Sequence, residues 1–187
     1  MKNLVTTLTV GIGLISLSFG AELDLTQRFL LMATQKTSTM QKELDEASAA
    51  GYRILTDSPT SMTEMAIILE RVGTPAGNYE YVLLATSKTS TMQKELGEAA
   101  SQGFRLIPST MISKSRMFGG AEVVVLLEKE PGGSQGYDYL LLATTKTATL
   151  QKEMSQALEE GYEVVGMVSR GEHMVILERP AKATPSQ

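Results

Sequence analysis

The apolar and polar positions of this chain follow one pattern three times. Each copy opens with an apolar run of strand length, at residues 29–33, 81–85 and 139–143. A polar turn follows, then a segment with apolar residues at helical spacing that ends at a glycine and an aromatic residue. Two further apolar runs complete each copy. Because self-similarity at a fixed period marks a repeat architecture, the pattern predicts three units of strand, helix, strand and strand.

The helical spacing is clearest in the third copy. Leu150, Met154, Ala157 and Leu158 lie at offsets 0, 4, 7 and 8, which is one stripe at a 3.6-residue period. A stripe this narrow predicts that the helix faces one sheet. Each helix is expected to end at its glycine in the left-handed conformation, with the next aromatic residue packed on the last turn. These pairs are Gly51 with Tyr52, Gly103 with Phe104 and Gly161 with Tyr162.

The connections predict the order of the strands. A right-handed crossover through the helix makes the first and second strands parallel, and a hairpin makes the third antiparallel to the second. The run at residues 123–127 is apolar on both sides, which places the third strand in the middle. The expected fold is therefore α+β, with three tandem βαββ repeats, each a three-stranded mainly antiparallel sheet covered by one helix. Units of this size bury little surface alone, so we expect them to pack on one another.

The first twenty residues read as a secretory signal. Lys2 precedes an apolar run from Leu4 to Phe19, and small residues favour cleavage after Gly20. The alternative is an uncleaved anchor, but a spanning helix needs about 20 apolar residues and this run is shorter. We therefore expect a periplasmic or secreted protein without stable membrane insertion. The predicted parts are a signal at 1–20, repeats at 21–72, 79–130 and 137–180, linkers at 73–78 and 131–136, and a tail at 181–187.

Composition narrows the function classes. Cleavage of the predicted signal removes Lys2 and leaves 16 of the 17 basic side chains against 21 acidic ones. This negative balance argues against nucleic-acid binding. The chain has no cysteine and one histidine, so neither a metal site nor a cofactor is expected. That histidine, His173, shares one hairpin with Ser169 and Glu172, a placement that does not suit a hydrolytic triad. No catalytic residue is assigned, and the chain is not expected to be an enzyme.

The most strictly repeated feature is Lys-Thr-x-Thr before each helix. Two interpretations are weighed: the threonines cap the helix, or the turn holds a carboxylate or phosphate at the helix N-terminus. Capping is favoured because no glycine allows the close backbone approach of a phosphate loop, but it does not explain the lysine. The following Gln-Lys-Glu is expected to face solvent. The candidate ligand-binding residues are Lys36, Thr37, Thr39, Lys88, Thr89, Thr91, Lys146, Thr147 and Thr149.

The second repeat carries an insertion between its last two strands, at residues 108–121. Long loops often carry function, and this one mixes basic with apolar side chains. It is the candidate partner-binding loop, with ordinary loop variation as the alternative. Its candidate contact residues are Lys114, Arg116, Met117 and Phe118.

Three motifs resemble a known family. They are Tyr-x-Tyr opening a strand, Gly-Tyr-Glu-Val-Val at 161–165 and Ile-Leu-Glu-Arg-Pro at 176–180. The third repeat, which carries all three, is similar to a family of small bacterial βαββ domains of unknown function that usually has Gly-Trp-Glu. The first two repeats have Gly-Tyr-Arg and Gly-Phe-Arg instead. The resemblance implies a fold and a bacterial origin, and it carries no catalytic residues.

The sequence thus predicts an exported, non-catalytic binding or interaction module of the cell envelope. Its partner would be a protein or a small acidic ligand. One alternative is a structural protein that self-assembles through exposed strand edges, which leaves oligomerisation open. The other is an enzyme that uses the repeated Lys-Thr-x-Thr turn, and the lack of a unique acid, base or nucleophile argues against it.

Overall fold

A computed structural model describes residues 23–60, 63–73, 79–116, 119–133 and 135–181. The predicted signal at 1–20 lies outside the described residues. The first repeat contains β1 (Phe29–Thr34), α1 (Thr37–Ala49), β2 (Tyr52–Pro59) and β3 (Met65–Arg71). The second contains β4 (Glu80–Thr86), α2 (Thr89–Ser101), β5 (Arg105–Leu106), β6 (Ile112–Ser115) and β7 (Ala121–Lys129). The third contains β8 (Tyr137–Thr144), α3 (Thr147–Glu159), β9 (Glu163–Ser169) and β10 (His173–Pro180).

The strands form three antiparallel sheets, one for each repeat. Their orders are β1-β3-β2, β4-β7-β5 with β6 also paired to β7, and β8-β10-β9. The predicted order 1-3-2 is confirmed in all three. In the described residues, three α-helices and three such sheets form an α+β arrangement that is compatible with three βαββ units.

The helix C-termini follow the glycine prediction. Gly51, Gly103 and Gly161 have φ values of 86°, 88° and 86°, in the left-handed region that favours glycine. The amide of Phe104 donates to the carbonyl of Ala99 at 3.1 Å, and the amide of Gly103 donates to the carbonyl of Ala100 at 3.0 Å. These two bonds form a Schellman motif, so the glycine both ends the helix and satisfies its last carbonyls.

The helix N-termini do not follow the capping prediction. Lys36 and its two equivalents occupy the N-cap positions, and no side chain caps the helix at any of the three. The expectation that the repeated threonines cap the helices is therefore wrong. Thr37 already lies in the first helical position, one residue past the position from which a side chain caps the free amides of the first turn. An earlier threonine orders the turn instead: Thr34 Oγ1 accepts the amide of Lys36 at 3.2 Å.

The insertion at 108–121 is not a loop throughout. It contains a 3-10 helix at Pro108–Thr110 and the strand β6, which pairs with β7. Thr110 Oγ1 accepts the amide of Leu126 at 3.1 Å and fixes the 3-10 helix to the sheet. Two of the predicted contact residues, Met117 and Phe118, lie outside the described residues.

Consecutive repeats share hydrophobic clusters. One cluster joins the α1 side of the first sheet to Val124 and Leu126 of β7. The next joins α2 and the opposite face of β7, including Val125, to Met174 and Ile176 of β10. Helices α1 and α2 thus each contact their own sheet and the next one, which corrects the prediction that a helix faces one sheet. The hydrophobic stripe did not reveal the contact of each helix with the next sheet, because polar side chains form much of that contact.

Candidate functional site

The two contacts between repeats use residues at equivalent positions, and the first of these is a glutamine. On α1, Gln41 Nε2 donates to the carbonyl of Tyr81 at 2.8 Å, while Gln41 Oε1 accepts the amide of Leu83 at 2.9 Å. Both backbone groups belong to β4, an edge strand, so the glutamine occupies hydrogen-bonding groups that another strand would otherwise use. The expectation that this side chain faces solvent is wrong. The second contact repeats the geometry at 2.8 and 2.7 Å with Gln93, Tyr139 and Leu141.

The second shared element is an arginine that follows the glycine cap. In the first contact, Arg53 donates to both oxygens of Glu128 at 2.6 and 3.0 Å and stacks on Tyr79 at 4.6 Å. Tyr81 Oη donates to the same carboxylate at 2.8 Å and accepts the amide of Ile54 at 3.3 Å. The bond with Glu128 raises the pKa of Arg53, and burial raises the pKa of the Tyr81 phenol. The arginine is therefore ionised and the phenol neutral at physiological pH.

The second contact reproduces this network. Arg105 Nη2 donates to Glu178 at 2.5 Å, and its guanidinium stacks on Tyr137 at 4.4 Å. Tyr139 Oη donates to Glu178 at 3.2 Å and accepts the amide of Leu106 at 2.7 Å. An arginine bound to a buried carboxylate and an aromatic face fixes orientation as well as affinity, because the fork and the ring each allow few geometries.

A cation from the next repeat forms the third shared element. Lys114 is buried on β6, where its Nζ donates to the carbonyl of Gln35 at 3.0 Å and pairs with Glu122 at 2.9 Å. Lys114 thus holds the turn before α1 and is not exposed for an outside partner. In the next contact Arg170 has this role. Its Nη1 donates to the carbonyl of Ser87, in the turn before α2, at 2.5 Å, and its Nη2 pairs with Glu172 at 3.3 Å.

On the first sheet, the described residues leave exposed the accepting surface, which is the surface that Gln41 and Arg53 contact on the second sheet. Phe29 and Leu31 occupy the positions of Tyr81 and Leu83, and Leu31 is 70% exposed. Among the described residues, no side chain bonds the carbonyl of Phe29 or the amide of Leu31. Arg28 occupies the carboxylate of this repeat instead, with its Nη2 at 2.7 Å from Glu70 Oε1. We define the N-terminal end face as Arg28, Phe29, Leu31, Ile68 and Glu70.

On the third repeat, the described residues leave exposed the donating surface, which is the surface that carries the glutamine and the arginine in the first two repeats. Val164 takes the position of Ile54 and Leu106 but is 49% exposed, against 6% and 2% for those two. Leu158 is likewise exposed at a helix position that is buried in α1 and α2. The residue that replaces the arginine is acidic. We define the C-terminal end face as Gln151, Leu158, Glu163, Val164 and Met167.

One carboxylate in the first repeat is buried without a partner. Asp57 lies on β2 opposite the fully buried Ile67, and neither of its oxygens accepts a hydrogen bond from another described residue. Burial raises the pKa of Asp57 to about 7. The alternating pattern of the strand does not reveal this group, since a polar residue at its end is expected to face solvent.

The predicted ligand-binding residues lie at separate turns. Lys36, Lys88 and Lys146 are all exposed N-cap residues. A cleft of about 200 Å³ brings Lys36 together with Arg116 from the insertion, so two candidate regions of the sequence meet there. The turns that carry the other two lysines do not line this cleft. The threonines flank the lysines in the first helical turns, at Thr37, Thr39, Thr89, Thr91, Thr147 and Thr149.

The single histidine contacts the serine across its hairpin. Ser169 Oγ lies 3.1 Å from His173 Nδ1, and Glu172 pairs with Arg170. Neither Ser169 nor His173 lines the clefts beside Arg53, Lys36 and Gly97. The pair is therefore a local contact of the hairpin.

The described part of the chain holds no group of three or more histidine, cysteine, aspartate or glutamate side chains placed to bind a metal ion. Among the same residues, no helix has the length and apolar character needed to cross a membrane.

A scan against protein-family models finds no match, and neither do searches of the curated proteins and of the solved structures.

Proposed function

We propose that this chain is an exported, non-catalytic interaction module of the bacterial cell envelope. In this proposal the three repeats pack on one another as a single stack, and partners bind at the ends of the stack. The observation that carries it is the pairing of two internal contacts, built alike, with two end faces that present the same positions uncovered. Each internal contact joins two surfaces. Each of these surfaces has an exposed counterpart at one end of the stack.

The end faces have the chemistry of interaction surfaces. On the first sheet, Phe29, Leu31 and Ile68 are exposed apolar residues beside the Arg28–Glu70 pair. Contiguous apolar surface with a polar rim marks protein contact sites more often than it marks free solvent-facing sheet. The free edge of β1 adds hydrogen-bonding groups that a partner strand or side chain can use.

Export and the absence of catalysis rest on the sequence. The apolar run from Leu4 to Phe19 and the small residues before Ala21 support export, and three similar copies without a unique acid, base or nucleophile support a binding role.

A binding comparison tests the interaction role. The chain from Ala21 onward would be immobilised, its partners captured from an envelope extract, and the affinity of the purified partner measured. Leu31→Glu places a charge at the centre of the N-terminal end face and should weaken binding at that face at least tenfold, while Lys42→Glu, an exposed change on α1, should leave it unchanged. If no partner loses affinity with end-face variants of either face, the proposal is wrong.

The cleft between Lys36 and Arg116 supports a second candidate, binding of a small acidic ligand. The structure places two unburied cations beside the N-terminus of α1, which favours an anion. Titration calorimetry with a panel of carboxylates and phosphates should show binding that weakens as salt rises. Lys36→Ala with Arg116→Ala should abolish it, and Lys146→Ala should not. Equal losses from both variants would place the ligand elsewhere.

A further inference from the structure

We propose that the N-terminal end face binds the C-terminal end face of a second copy of this chain, head to tail. The inference rests on the proposed interaction function and names one partner for it. In this arrangement α3 and the β9 edge of one copy cover β1 and β3 of the next, as α1 and β2 cover β4 and β7 within the chain.

The glutamine contact is preserved on both sides. Gln151 occupies the α3 position of Gln41 and Gln93, and among the described residues its side chain hydrogen-bonds only to Ser155 Oγ, at 3.5 Å. Its targets in the second copy are the carbonyl of Phe29 and the amide of Leu31, which have the register of the groups bound by Gln41. A two-point bond to an edge strand is thus available without rearrangement of either backbone.

The charged contact differs on both sides: the C-terminal end face has an acid in place of the arginine, and an arginine covers the carboxylate of the N-terminal end face. Inside the chain, the donating surface supplies an arginine, Arg53 or Arg105, to a glutamate of the next sheet. At the C-terminal end face that position holds Glu163. At the N-terminal end face Arg28, which is 74% exposed, already sits on the carboxylate that the arginine would bind. Docking therefore brings Glu163 of one copy to Arg28 of the next, and opposite charges meet again with their sides exchanged.

The apolar surfaces also correspond, but other internal bonds are missing. Val164 and Met167 present exposed apolar area opposite Leu31 and Ile68. Phe29 lacks the hydroxyl with which Tyr81 accepts an amide of the adjacent strand inside the chain. Residues 56–65 contain no lysine or arginine that could bind the turn before the helix, as Lys114 does inside the chain. The contact between copies is accordingly weaker than the contacts within one, so assembly depends on concentration.

The two end faces differ, so the contact is heterologous. Each copy uses one of its two end faces, so the pair keeps one free face of each kind and growth continues into a ring or an open chain. A face-to-face dimer would instead use one surface twice and stop at two copies.

Sedimentation velocity on the chain from Ala21 onward tests this proposal. The weight-average sedimentation coefficient should rise with concentration for the unmodified chain. It should stay at the monomer value for Gln151→Ala and for Leu31→Glu. The matched control is Lys152→Ala, because its equivalents Lys42 and Lys94 are exposed beside the internal contacts, and it should assemble normally.

Mixing distinguishes head-to-tail binding from other self-association. Leu31→Glu keeps a working C-terminal end face, and Gln151→Ala keeps a working N-terminal one. An equimolar mixture should therefore form a 1:1 dimer that cannot grow, although each variant alone is monomeric. Arg28→Glu should abolish assembly, and adding Glu163→Arg should restore it by returning the internal polarity of charge.

The outcomes separate this inference from the function on which it rests. A chain that stays monomeric up to its solubility limit, or mixed variants that stay monomeric, overturns head-to-tail assembly. If Leu31→Glu still loses a captured envelope protein in that case, the interaction function stands and the second copy is the wrong partner. Circular dichroism melts of all variants check that the exposed substitutions leave the fold intact.

Discussion

Replacing Asp57 by asparagine should stabilise this protein in a pH-dependent way. The carboxylate is buried on β2 without a hydrogen bond from another described residue, and burial raises its pKa from 3.8 to about 7. The folded state therefore holds a proton that the unfolded state has released between these two values. The free energy of unfolding contributed by this group is highest below pH 4, falls as the pH rises, and levels off above about pH 7.

The magnitude follows from the same shift. A difference between 3.8 and about 7 sets a ceiling of about 4 kcal/mol on the cost of ionising Asp57 in the folded state. The residue is only partly buried, so water near the strand end reduces this cost, and about 1 to 3 kcal/mol is expected. The asparagine side chain cannot ionise, so Asp57→Asn should match the unmodified chain near pH 4 and exceed its stability by this amount at pH 8.

Urea unfolding followed by far-ultraviolet circular dichroism measures the difference, since the chain has no tryptophan. The unfolding midpoint of the variant should move above that of the unmodified chain as pH rises from 4 to 8. A constant difference across this range, or a variant that is less stable at pH 8, would show that the carboxylate is solvated or paired.

Four other substitutions have defined outcomes. Gly161→Ala should lower the free energy of unfolding by about 1 kcal/mol because alanine is strained at φ 86°, and an unchanged thermal melt would misplace the helix end. Arg105→Ala leaves the carboxylate of Glu178, which is 6% exposed, without its cation and should cost about 2 kcal/mol in urea unfolding. Arg28→Ala should cost under about 1 kcal/mol, and equal losses would contradict this ranking. Lys146→Ala should leave the melting temperature nearly unchanged, because this N-cap side chain makes no capping bond; a clear drop would refute that.

Hydrophobic periodicity predicted the units, their strand order and their glycine caps. These features depend on short-range spacing, as at Gly103, where a φ of 88° in the region that favours glycine ends the helix and its apolar stripe. The helix starts were predicted wrongly because Thr37 satisfies the composition of a cap, while the backbone places Lys36 at the cap position. One residue of offset changes which hydroxyl can reach an amide.

The contacts between repeats were harder to predict, because their chemistry is polar. Gln41 looks like a solvent-facing residue until the edge of β4 is placed beside it. A sequence signal did exist in the recurrence of Gln-Lys-Glu, and in the change from Arg53 and Arg105 to Glu163 at one position. Only the register of the sheets shows that Glu163, which replaces the arginine on one end face, corresponds to Arg28 on the opposite end face.

Amide hydrogen exchange at three equivalent residues tests the central claim, that repeats pack by one contact whose surfaces remain open at the ends. The amides of Leu83 and Leu141 donate to Gln41 and Gln93 at 2.9 and 2.7 Å, whereas no described side chain accepts from Leu31. In dilute solution Leu83 and Leu141 should exchange slowly and Leu31 quickly, and Gln41→Ala should accelerate Leu83 alone. Equal exchange at all three, or no response of Leu83 to that substitution, would contradict the account.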